Sequence, residues 1–270
     1  MFRCLLLSLF LIAVPSVPAC CAPGIGPSEG LHIVLLGDSN TWIGGDNCDN
    51  ETGWSKWFRE LLDPTFCRSY ARSGATWTNT SSTKLNMEEN IGVLGDDNVI
   101  YNQIERLLDD VKRGISPSPD IVIIGAGTND AWFADKRPYA FSCSVSEAFA
   151  DSDGFITDPL PSEVLSLAES VRYGCELVME SFPDALIILL TPFQTTKADP
   201  ALIRKTGDII EECGKRMSVP VVRQDYLSGI YSTREAISPC FTYDGTHTNP
   251  EGAKRVGRMI AGQVMQLIIP

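Results

Sequence analysis

The sequence has no run of lysine or arginine, and 34 acidic residues outnumber its 22 basic ones. A phosphate backbone is therefore a poor partner for it. Internal repeats and low-complexity segments are missing too, which sets aside solenoids, arrays and disordered tracts. No two cysteines stand at a metal-ligand spacing such as C-x-x-C, so a cysteine-built zinc site is not expected. What remains, over 270 residues, has the composition of an ordinary globular chain long enough for one sizeable core.

The first residues read as a leader rather than as fold. Arg3 is followed by a short apolar stretch from Leu5 to Val14 and by "VPA" at 17–19, the pattern of a secretory signal with its small-residue cleavage site. The apolar stretch is too short to span a bilayer comfortably. "VPAC" also resembles a loose bacterial lipobox, in which Cys20 becomes a lipidated N-terminus and 20–30 a tether; ordinary cleavage with Cys20 incidental is the alternative. The expected organisation is a signal over 1–19, a tether over 20–30 and one domain over 31–270. The protein would be exported, whether periplasmic, held at the cell surface as a lipoprotein, or secreted. Cys48, Cys67, Cys143, Cys175, Cys213 and Cys240 remain in that domain. Six cysteines allow many pairings and the sequence does not choose among them, although Cys175 sits on an apolar helical face and reads as a buried free thiol.

Strand and helix patterns alternate along the domain. Strands are expected at His32–Leu36, Cys67–Ala71, Ile121–Ile124, Ala185–Leu190 and Val219–Val222. Ile104, Leu107, Leu108 and Val111 recur at helical spacing and Gly114 stops that helix. Val164, Leu167, Ala168, Val171, Cys175 and Val178 repeat the pattern. A last helix starts at "NPEG", with Asn249 as N-cap and Pro250 in the first turn, and carries Val256, Ile260, Val264 and Leu267 as its stripe. Apolar strands alternating with helices mean a parallel sheet covered on both faces. The fold class is therefore α/β, a three-layer α/β/α sandwich with a five-stranded parallel sheet in the flavodoxin-like order 2-1-3-4-5. In such a sheet ligands gather beyond the carboxyl ends of the strands, between strands 1 and 3.

Strand 1 runs into "GDSN" at 37–40, putting Ser39 at that point. Its neighbouring strands, about 4.8 Å away, end in "RSGATW" with Gly74 and "GAGTND" with Asn129. "DGTHTN", holding Asp244 and His247, precedes the last helix. These four blocks, in this order, resemble the SGNH (GDSL-like) hydrolase family over about 30–265. The resemblance implies a serine esterase, and with the leader the reading is an exported one of bacterial type. It assigns Ser39 as nucleophile, His247 as base and Asp244 as the group that orients the ring, with the Ser39 and Gly74 N–H groups and the Asn129 amide as oxyanion donors. It implies no metal and no organic cofactor. Of the two histidines, His32 lies at the start of strand 1, at the far end of the sheet, which leaves His247 as the base. Two departures from the family pattern stand out: Thr248 where proline often follows the histidine, and Asn40 where an apolar residue is usual.

Other features are weighed against blander readings. Trp42, Trp77 and Trp132 each follow an oxyanion element by three residues. They could wall a sugar-binding site or simply anchor loops against the sheet. Trp54 and Trp57 fall in a helical pattern and read as core. "GAGTND" follows the third strand, not the first, so a dinucleotide site is not expected. "GGDNCDNE" at 44–51 and "DSDG" at 151–154 lack EF-hand spacing and read as solvated turns. Asp38 and Asp130 are expected to brace the loops that aim Ser39 and Asn129. The segment from Phe133 to Pro161 is a long loop that either shapes the substrate site or packs on the surface. The expected substrate is an ester, with a small acyl group such as acetyl on a carbohydrate foremost. Lysophospholipase or thioesterase activity, or a non-catalytic carbohydrate-binding lipoprotein, are the alternatives. Nucleic acid is not an expected partner, and no transmembrane span is expected in the mature chain.

Overall fold

The computed structural model describes residues 30–89, 95–150 and 154–268. The expected leader, Cys20 and all of the tether but Gly30 lie outside the described residues, as does most of "DSDG". Five strands form one parallel sheet: β1 His32–Gly37, β2 Phe66–Ser69, β3 Ile121–Gly125, β4 Leu186–Leu190 and β5 Val221–Val222. Their order is β2-β1-β3-β4-β5, as expected from the sequence. Among the described residues ten α-helices accompany them: α1 Ser39–Trp42, α2 Trp54–Leu62, α3 Ile100–Lys112, α4 Thr128–Trp132, α5 Val145–Ala148, α6 Leu167–Ser181, α7 Pro200–Met217, α8 Gln224–Leu227, α9 Ser232–Ile237 and α10 Pro250–Ile268.

Alternate residues of each strand feed opposite faces. Ile33, Leu35, Ile121, Ile123, Ile188 and Leu190 meet Trp54 and Phe58 of α2 and Val256, Ile260 and Val264 of α10. Val34, Leu36, Val122, Ile124, Ile187 and Leu189 meet α3, α6 and α7 through Ile104, Leu107, Val171, Val178 and Ile210. Two-sided burial is why the strands read as unbroken apolar runs. Each such side chain contributes about 1.5–3 kcal/mol through removal from water, so the sheet holds its carboxyl rim in place.

Several boundaries differ from expectation, each for a local reason. β5 loses Val219 because that N–H bonds to Gly214 O at 2.8 Å, closing the end of α7 behind Ser218 in the left-handed conformation. β2 ends at Ser69, and the chain then keeps only single bonds to β1, Tyr70 N to Leu35 O at 2.8 Å and Arg72 N to Gly37 O at 3.0 Å. Val164 is buried but precedes α6, whose N-terminus is fixed by a capping box: Ser166 Oγ accepts from Glu169 N, and Glu169 Oε2 from Ser166 N. In α10, Asn249 Oδ1 accepts from Gly252 N at 2.9 Å, while Leu267, expected in the stripe, is exposed and Ile268 packs in its place. Trp57 is half-exposed rather than core, with its indole N–H on Glu51 O at 3.1 Å. Between Phe133 and Pro161 the described residues form short turns and α5. Among the described residues no helix is long and apolar enough to cross a membrane.

Candidate active site

Ser39 opens α1 directly after β1. Asp38 caps that helix, its Oδ1 accepting from Asn40 N at 3.0 Å. The cap leaves the Ser39 side chain at the carboxyl rim between β2 and β3. The chain reaches it again 208 residues later, where His247 Nε2 lies 2.9 Å from Ser39 Oγ. His247 Nδ1 lies 2.7 Å from Asp244 Oδ2. A ring nitrogen at that distance can take the hydroxyl proton, and a carboxylate on the other nitrogen fixes tautomer and orientation.

The loop carrying these two residues is held from several sides. Asp244 Oδ1 accepts from the N–H groups of Thr246 at 2.9 Å and His247 at 2.7 Å. Burial alone would raise the Asp244 carboxyl, but those N–H groups and the imidazole outweigh it and hold it below its ordinary range. Glu235, buried on α9, accepts from Cys240 N, Phe241 N, Thr242 N and Thr242 Oγ1. Tyr243 stacks on the His247 ring, centroids 5.8 Å apart. Neither Glu235 nor Tyr243 was marked by the sequence motifs; the only signal was the position of Tyr243 beside Asp244. Thr248 donates from its hydroxyl to Thr52 O at 2.7 Å. The hydroxyl that departs from the family pattern thus ties the histidine loop to the loop behind α1.

Gly74 and Asn129 come to the same rim on the flanking strands. Asn129 Nδ2 donates to Ala75 O at 2.9 Å, which places the amide against the Gly74 loop and leaves its second hydrogen for another acceptor. Gly74 has φ +74°, a left-handed backbone that glycine adopts without penalty. Among the described residues neither the Ser39 nor the Gly74 N–H has a backbone acceptor. Asp130 braces this arrangement: its carboxylate accepts from Trp77 N, Thr78 N and Thr78 Oγ1 at 2.8–3.0 Å. Burial raises its pKa against those bonds.

The three tryptophans divide. Trp77 is 1 % exposed and packs in the core beside Ile104 and Val171, so it anchors its loop and walls no site. Trp42 is half-buried and lines an open depression of about 330 Å³ with Ile43, Gly45, Asn50 and Thr52. Trp132 is half-buried and stacks on Phe133 at 5.0 Å. Asn40 turns inward: its carboxamide is buried and, among the described residues, makes no side-chain hydrogen bond. His32 sits at the opposite end of β1, its backbone N–H on Asp120 Oδ2 at 2.7 Å.

Solved structures share this architecture. A possible lipase from Chitinophaga pinensis aligns with TM-score 0.56 and 16 % identity over 89 % of this chain and 100 % of its own. The lipase/acylhydrolase from Enterococcus faecalis aligns with TM-score 0.51 and 16 % identity over 88 % and 97 %. The acetyl xylan esterase AlAXEase gives 0.51 and 17 % over 87 % and 100 %. At such identities the likeness is one of fold. No curated protein matches the chain in sequence. The model of the GDSL-like lipase/acylhydrolase family, however, matches residues 33–260, a span that takes in the GDSN serine, the Gly74 and Asn129 loops and the D-x-x-H pair. With that span and this rim geometry together, the chain belongs to the GDSL-like lipase/acylhydrolase family.

Proposed function

We propose that the protein is an exported serine esterase that removes small acyl groups, acetyl foremost, from carbohydrate esters. The observation that carries this reading is the unbroken line from Ser39 Oγ through the His247 ring to the Asp244 carboxylate, at 2.9 and 2.7 Å. His247 Nε2 takes the hydroxyl proton as Ser39 Oγ attacks the ester carbonyl. The carbonyl oxygen becomes an oxyanion facing the Ser39 and Gly74 N–H groups and the Asn129 amide. As the tetrahedral adduct collapses, the protonated ring hands its proton to the departing alcohol and the acyl group stays on Ser39. A water molecule then gives its proton to the same ring, attacks the acyl carbonyl and frees the acid.

The carbohydrate preference rests on Trp42 and Trp132, both partly exposed beside the rim, since flat aromatic faces suit sugar rings. One structural neighbour is named an acetyl xylan esterase, which makes acetylated polysaccharide the first substrate to try. Export, with or without a lipid at Cys20, would place the enzyme where such polymers are found.

The test is hydrolysis of p-nitrophenyl acetate by the wild type and Ser39→Ala, followed by acyl release from acetylated polysaccharides, acyl-CoA and lysophospholipids. Ser39→Ala should lose about 10⁴-fold or more in kcat. Turnover unchanged by the substitution removes Ser39 as nucleophile, and release confined to lysophospholipids or acyl-CoA removes the carbohydrate reading.

A further inference from the structure

The described cysteines are free thiols, and two of them face each other. Cys48 Sγ and Cys67 Sγ are 3.6 Å apart, although the residues stand 19 positions apart in the chain. Cys67 lies on β2, the edge strand of the sheet. Cys48 lies in the loop between α1 and α2, which runs beside that edge: Ser69 N donates to Asp46 O at 2.8 Å, and Arg72 Nη1 to Asp46 Oδ1 at 2.9 Å.

A second observation concerns the backbone. Cys48 has φ +54° and is 1 % exposed. A left-handed position favours glycine or asparagine, which adopt it at less cost. A buried cysteine there is explained by its side chain, whose sulfur meets Cys67. The remaining described cysteines are placed differently. Cys175 and Cys213 are buried in the opposite layer, with Cys213 Sγ on Ala168 O at 3.7 Å; half-buried Cys143 packs against that layer with its Sγ on Ser144 O at 3.3 Å, and Cys240 is exposed.

We propose that Cys48 and Cys67 form a modification site, a dithiol that closes in an oxidising compartment into a disulfide fastening the 43–53 loop to the edge of the sheet. The sulfurs must approach by about 1.5 Å to reach bonding distance, a change within reach of side-chain rotation. The oxidant is a small disulfide such as oxidised glutathione. Half-buried Cys67 loses its proton to water and attacks one sulfur of the oxidant, whose S–S bond breaks and releases the first small thiol. Cys48 then attacks Cys67 Sγ, and its proton passes to the departing thiolate, which leaves as the second small thiol. Two protein S–H bonds are lost, one S–S bond is made, and the oxidant is reduced to two thiols. The Cys48 contact and burial push the Cys67 thiol up, so closure is faster in alkaline solution.

The disulfide bears on the esterase site through Thr52. That residue belongs to the fastened loop, and its carbonyl holds Thr248 beside His247. Oxidation should therefore protect the active arrangement against heat while leaving its chemistry as it is.

The experiment oxidises the full chain with oxidised glutathione, alkylates the remaining thiols, and digests at glutamate. Cys48 then falls alone in peptide 30–51 and Cys67 alone in 61–88. The expected result is one cross-linked species about 2 Da lighter than the two thiol peptides together, separated by reductant. Reductant should lower the melting temperature of the oxidised wild type by about 5–10 °C and leave Cys67→Ala unmoved. Alkylated Cys48 and Cys67 after oxidation, either one linked to another cysteine, or an equal melting shift in Cys67→Ala would each overturn the proposal. The peptide map uses the unsubstituted chain, so it decides even if Cys67→Ala fails to fold.

Discussion

Asp38, one residue before the serine, is 2 % exposed and has little water to support its charge. Burial raises its pKa from 3.8 to about 6, against the pull of the Asn40 N–H, Thr128 and His247. Between those values the folded chain holds a proton that the unfolded chain has released. The folded state therefore loses stability as pH climbs through this window and does not regain it above. Asp38→Asn keeps an oxygen to cap α1 and removes the charge. Thermal melts from pH 4 to 7 should fall less steeply for the variant, and parallel curves would refute this account. At Asn129 the expectation is kinetic. Asn129→Ala should cost about 10²–10³-fold in kcat with KM little changed, measured by steady-state hydrolysis on protein whose circular dichroism matches wild type. A loss confined to KM would deny the amide an oxyanion role.

Helices α2 and α10 pack closely because the position facing α2 has no side chain. A Cβ at Gly257 would lie 2.4 Å from Trp54 O and 2.8 Å from Trp57 Cβ. Gly257→Ala must push the helices apart, at about 1–3 kcal/mol, seen as a drop of several degrees in melting temperature; an unchanged midpoint would mean the contact is looser than described. Among the elements, the long apolar ones were legible in the sequence. β1, β3, β4, α3, α6 and α10 announce themselves through unbroken or evenly spaced apolar residues. The helices α1, α4, α5, α8 and α9 did not, because four to six residues give no period to read, and neither did α7, whose buried face mixes Thr206, Gly207 and Gly214 with its apolar residues. β5 was overestimated because Val219 looks like strand yet spends its N–H on the end of α7. Trp77 was left open between a ligand platform and a loop anchor because sequence spacing places a side chain on a loop without saying which way it turns; the structure makes it an anchor.

At the scale of the whole molecule, charge sets the approach of substrate. The chain carries a formal charge of −12 at pH 7, so an anionic ester meets repulsion that salt relieves. Raising ionic strength from about 10 mM to about 150 mM should increase kcat/KM several-fold for a negatively charged ester and leave a neutral one nearly unchanged. A flat response for both would show that the surface near the rim does not share the net charge. The candidate site was readable because its four blocks each sit at a strand end or before the last helix, where the parallel topology fixes their meeting place. What holds the histidine loop was not readable. Glu235, Tyr243 and the Thr248–Thr52 bond act between segments far apart in sequence, and no local pattern records them.

The 208-residue gap between Ser39 and His247 has a consequence during synthesis. A ribosome has already made every described strand by Val222, while the imidazole that would arm the hydroxyl is still to come. A chain cut short there would carry all five strands yet lack both the imidazole and α10, the helix that covers one face of the sheet, so the last stretch of polypeptide completes the core and the site together.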